Sequence, residues 1–87
     1  MSRVEDFLSV VFLNLHKNGI DPRINDTVSV SRLRQGVKQY FGWSGDKPVD
    51  NFLDELIASG FVEITEQGFR FTGRAIEKFR VFLREPS

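Results

Sequence analysis

Eighty-seven residues with twelve basic side chains balanced by twelve acidic ones describe one small domain of zero formal net charge, large enough for only a modest core. The absence of cysteine excludes a disulfide framework, a thiolate metal site and a thiol nucleophile, and fits a reducing compartment, so the expected location is the cytoplasm. Zero net charge argues against strong non-specific nucleic-acid binding, which usually leaves a basic surplus.

In chain order, residues 3–17 form the first predicted helix. Val4, Phe7, Leu8, Val11 and Leu15 recur at spacings of three and four and share one face. Val10, Leu13 and Phe12 fall off that stripe, which makes the apolar arc wide. The longest apolar run, LSVVFLNL over 8–15, is too short to span a bilayer. With Glu5 and Asp6 before it and no small-residue cleavage site after it, a signal peptide is not expected. Asn18-Gly19 stops the helix, Gly19 being suited to a left-handed cap.

GIDPRINDT (19–27) reads as a loop, with Pro22 and Asn25-Asp26 as breakers. Thr27-Val28-Ser29 suits a short strand. Ser29 or Ser31 then caps a second helix that runs to about Phe41. Leu33, Val37, Tyr40 and Phe41 are expected to point inward, and Arg32, Arg34, Gln35, Lys38 and Gln39 outward. Gly36 costs about 1 kcal/mol against Ala in a helix, which suggests close approach of another helix. GWSGD (42–46) is a turn, and Trp43 in it reads as a core plug.

KPVDNFLDELIASG (47–60) is a third helix. Pro48 suits the first helical position, with Asp46 or Lys47 just before it. Val49, Phe52, Leu53, Leu56 and Ile57 form its apolar stripe, and Ser59-Gly60 ends it. Residues 61–65 alternate, with Val62 and Ile64 facing one way and Glu63 and Thr65 the other. Glu66-Gln67-Gly68 supplies a turn in which Gly68 can adopt positive φ. Phe69 and Phe71 return inward. Thr72 caps a last helix, GRAIEKFRVFLRE, with core positions Ile76, Phe79 and Leu83, while Val81 and Phe82 lie to one side and Pro86 closes the pattern.

The order helix, short strand, helix, helix, two-stranded hairpin, helix is α+β and mostly α. VSVSRLRQGV, FLDELIASGFVEIT and GFRFTGRAIEKF together cover residues 28–80, most of the chain. The Gly joining the third helix to a strand, followed by G-aromatic-x-aromatic-T-G, resembles the winged helix-turn-helix family, in particular small bacterial and archaeal regulators of the MarR or ArsR type. The resemblance implies a third helix that enters the major groove of DNA and a hairpin "wing" that touches the minor groove or the backbone. Fold alone does not fix function, since other winged helices are protein-docking modules.

Charge is segregated along the chain. Residues 1–43 sum to +2, residues 44–66 to −5 and residues 67–87 to +3. Base reading favours Arg, Lys, Asn and Gln, so only Lys47 and Asn51 on the third helix fit a base-contacting role. Arg32, Arg34, Lys38, Arg70 and Arg74 are the candidate phosphate contacts. Asp50, Asp54 and Glu55 sit on the same outward face of the third helix and would repel phosphate. They keep an exposed helix soluble, or they dock a basic protein partner instead. No phosphate-cradling loop, serine-nucleophile elbow or metal-ligand spacing is present, and His16 stands alone, so neither enzymatic activity nor a cofactor is expected. The off-stripe residues Val10, Leu13, Val81 and Phe82 suggest a homodimer through the first and last helices. The competing expectation is that the 19–27 loop folds back over Val10 and Leu13. The reading is therefore a small DNA-associated protein, a transcription regulator or accessory factor, or else a docking module that does not bind DNA.

Overall fold

A computed structural model describes residues 2–22 and 26–83. The loop breaker Asn25 and the predicted end of the last helix with Pro86 lie outside the described residues. The architecture is α+β and mostly helical: α1 (Arg3–Lys17), α2 (Val30–Phe41), α3 (Asp46–Ala58), an antiparallel hairpin of β1 (Val62–Thr65) and β2 (Gly68–Phe71), and α4 (Gly73–Phe79), which tightens into a 3₁₀ turn over Arg80–Leu83. No described helix is long and apolar enough to cross a membrane.

Each helix start follows from a local hydrogen bond. The hydroxyls of Ser2, Ser29 and Thr72 accept from the amides of Glu5, Arg32 and Ala75, one of the unpaired first-turn donors in each case. Ser29, not Ser31, is therefore the cap of α2. Helix α3 begins earlier than expected, at Asp46 after Gly45, and has no side-chain cap. Pro48 falls at its third position rather than its first. The position still suits proline, because first-turn amides have no partner within the helix. Gly19 and Gly42 adopt positive φ where α1 and α2 end.

The core joins all four helices and the hairpin. Phe12, Val37, Val49, Phe52 and Leu56 are completely buried, and among the described residues no polar side chain is buried with them. Phe12 corrects the sequence expectation. Its ring lies against Phe71 at 4.9 Å and Phe79 at 5.5 Å, because α1 packs on α4 as well as α3 and so buries a wider arc than one stripe. A second aromatic group gathers Phe7, Phe41, Trp43 and Phe52, with Trp43 stacked on Phe41 at 4.3 Å. Ala75, not anticipated as core, is fully buried.

Three inward expectations and one expected close approach fail at the margins. Tyr40 is exposed at the rim, with its ring edge on Phe7. Ile57 is exposed because the core closes on Val49, Phe52, Leu53 and Leu56, one side of its helix position. Ile64 is 63% exposed although it faces the same way as Val62. β1 is the outer strand, and Val28 and Leu33 gather around Phe69 and Phe71 of β2 instead. A Cβ at Gly36 would meet nothing within 4 Å among the described residues, so no described helix approaches it.

Val28 forms an isolated antiparallel bridge to Phe69 rather than a full strand. Its amide donates to the Phe69 carbonyl at 2.6 Å, and the Phe69 amide donates back at 2.8 Å. Gly68, with φ +144°, lies so close that a Cβ would overlap the Val28 carbonyl. This bridge fastens the hairpin to the start of α2. Thr72 fastens its base, donating its hydroxyl to the Gly60 carbonyl at 2.6 Å while its amide donates to the Phe61 carbonyl.

Candidate nucleic-acid interface

α2, a short turn and α3 stand beside the hairpin, and the outward residues Lys47, Asp50, Asn51 and Asp54 of α3 are exposed. The segregation of charge along the chain does not survive folding. The Arg34 guanidinium pairs with Asp50, and its second nitrogen lies 3.4 Å from Asp46. Lys38 reaches the same Asp46 carboxylate at 2.9 Å. The basic face of α2 is thus closed onto the acidic start of α3. The hydrogen bond and charge of Lys38, reinforced by Arg34, hold the Asp46 carboxyl below its ordinary range.

Arg3 was not anticipated in any site. Its guanidinium pairs with Glu55, the Nε donating at 3.1 Å, and lies 5.4–5.9 Å from the ring centroids of Phe41, Trp43 and Phe52. Hydrogen bonding to Arg3 pushes the Glu55 carboxyl below its usual range. The partners are 52 residues apart, so no local spacing in the sequence reports the pair.

Around α3, three cations (Arg3, Arg34 and Lys38) therefore meet three carboxylates (Asp46, Asp50 and Glu55), and the unpaired Lys47 and Asp54 balance each other in charge. Lys47, Asn51 and Asp54 have no side-chain partner among the described residues. On the hairpin, Arg70 pairs with Glu63 across the two strands. Arg74 sits over the Phe61 ring at 5.0 Å, and Arg32 is exposed, without an ion pair among the described residues. Ser31, Arg34, Gln35 and Lys38 line a shallow depression on α2. The structure thus gathers Arg34 and Lys38 at one place, on the α2–α3 side, and leaves Arg70 and Arg74 on the hairpin side.

Of the residues expected at a dimer contact, Val10, Leu13 and Val81 are exposed, and the described part of the 19–27 loop does not cover the first two. Phe82 is half-buried, stacked on Phe79 at 6.3 Å, so it serves its own core. Comparison of the chain with models of protein families, with curated proteins and with solved structures finds no match in any of the three.

Proposed function

We propose that the chain is a winged-helix protein that associates with duplex DNA as a transcription regulator or accessory factor, with α3 toward the groove and the β1–β2 hairpin as its wing. The observation that carries this reading is the neutralisation of α3. Read linearly, its acids would repel phosphate. In the folded chain Asp46, Asp50 and Glu55 are each held by Arg34, Lys38 or Arg3. The face on offer is polar and balanced, with Lys47 and Asn51 free for base edges. Arg32 and Arg74, which have no ion pair among the described residues, can meet the backbone, and Arg34, Lys38 and Arg70 can exchange a carboxylate for a phosphate at small cost, because exposed ion pairs contribute only about 0–1 kcal/mol.

The docking reading draws on the same helix. Exposed Ile57 and unpartnered Asp54, three residues apart on α3, form a mixed apolar and acidic edge suited to a basic protein. Two of its three nominated acids, Asp50 and Glu55, are already satisfied within the chain. Titration of generic duplex DNA across a salt series separates the two, since phosphate contacts give a steep salt dependence and a protein-only docking module gives no duplex binding.

A further inference from the structure

On the outer face of α1, Val10 and Leu13 of the expected dimer contact lie within a longer charged pattern. Asp6, Val10, Leu13 and Lys17 are spaced four, three and four residues apart. At 100° per residue they fall within about 60° of arc. That stripe lies directly opposite Val4, Leu8 and Leu15, which turn α1 toward its own core. All four residues are exposed, Val10 by 38% and Leu13 by 40%. Neither Asp6 nor Lys17 has a side-chain partner among the described residues, so both remain available to a second copy. Spacings of four, three and four are those of a coiled-coil seam, here only one helix wide.

We infer that this stripe is the contact by which two copies of the chain pair, α1 against α1, antiparallel about a two-fold axis. The stripe is complementary to itself in that direction only. The midpoint between Asp6 and Lys17 is also the midpoint between Val10 and Leu13. An antiparallel pair therefore sets Asp6 of one copy against Lys17 of the other at both ends, with Val10 against Leu13 twice in the middle. This is the reciprocal arrangement that a two-fold contact requires. A parallel pair would set Asp6 against Asp6 and Lys17 against Lys17, and is disfavoured at both ends. The contact lies on the side of α1 away from α3, so it leaves the α3 face open and holds independently of the DNA reading.

The test is sedimentation equilibrium of the full chain from micromolar to several hundred micromolar, with circular dichroism as the control for folding. The expected mass rises from 10.0 kDa toward twice that value. Leu13→Glu keeps it at the monomer value with an unchanged spectrum. Asp6→Lys and Lys17→Asp each weaken pairing on their own, by about tenfold or more, while the double exchange D6K/K17D restores it. A chain that stays monomeric throughout overturns the inference. So does a dimer that Leu13→Glu leaves intact, or one abolished by Val81→Glu alone, which would place the contact on the 3₁₀ turn. Failure of the double exchange to restore what each single exchange removes overturns the antiparallel register.

Discussion

Replacing glycine by alanine at positions 68 and 36 should move stability in opposite directions, and the structure gives both magnitudes. At Gly68 the added Cβ meets the Val28 carbonyl, which is backbone and cannot swing aside, and φ is +144°. The hairpin must shift away from α2, which breaks the two hydrogen bonds between Val28 and Phe69, worth about 1 kcal/mol each. The unfavourable φ adds about 1 kcal/mol or more. A loss of about 3 kcal/mol lowers the melting temperature of a domain this size by about 12–24 °C. At Gly36 a Cβ meets nothing within 4 Å in the middle of α2, so alanine should raise stability by about 0.5–1 kcal/mol through helix propensity and a less free unfolded chain. Thermal melts by circular dichroism measure both, and amide exchange at Val28 and Phe69 reports whether the bridge opens. A Gly68→Ala protein that melts within about 2 °C of wild type, with both amides still protected, would refute the reasoning.

Phe12→Ala should cost about 3–5 kcal/mol, the usual range for emptying a fully buried aromatic site, whereas Leu13→Ala should cost well under half as much; denaturant midpoints decide it. Asp50→Asn releases Arg34 from one of its two carboxylates and should tighten duplex binding about two- to five-fold, more than Asp54→Asn, which releases no cation; equal gains in anisotropy titrations would mean general repulsion rather than a specific pair. Glu5, Asp46 and Glu55 are held below their ordinary values, led by the hydrogen bonds from Lys78, Lys38 and Arg3 respectively. The folded protein thus binds fewer protons than the unfolded one, so their contribution is complete above the ordinary carboxylate range and fades as pH falls below about 4 through the lowered folded values. Melts at pH 6 and pH 3 should show that loss, and it should be smaller in a Glu55→Gln, Asp46→Asn variant.

What the sequence disclosed and what it withheld divide along a physical line. Caps, glycine stops and three- and four-residue spacings are local, and they placed α1, α2, the hairpin turn and the Thr72 cap correctly. Ile64 and Ile57 were misplaced because a period says which way a side chain points and not whether anything lies there. β1 is an outer strand, and the core stops short of Ile57. Phe12 was misplaced for the converse reason, since a helix packed on two neighbours buries more than one stripe. The interface suffered most. Arg34 and Asp50 are 16 residues apart and Arg3 and Glu55 are 52 apart, so a charge count by segment could see an acidic block and basic blocks but not their closure on each other.

On the proposed reading, this balanced face associates with duplex DNA. The most direct measurement is the affinity of the wild-type chain for a generic duplex from about 50 to 200 mM salt. With contacts from Arg32 and Arg74 alone up to all five candidate cations, log affinity against log salt should fall with a slope of about −2 to −4.5. Removing Arg32 and Arg74 together should flatten that slope by about 2. Absence of binding at the lowest salt, or binding indifferent to salt, would contradict the account.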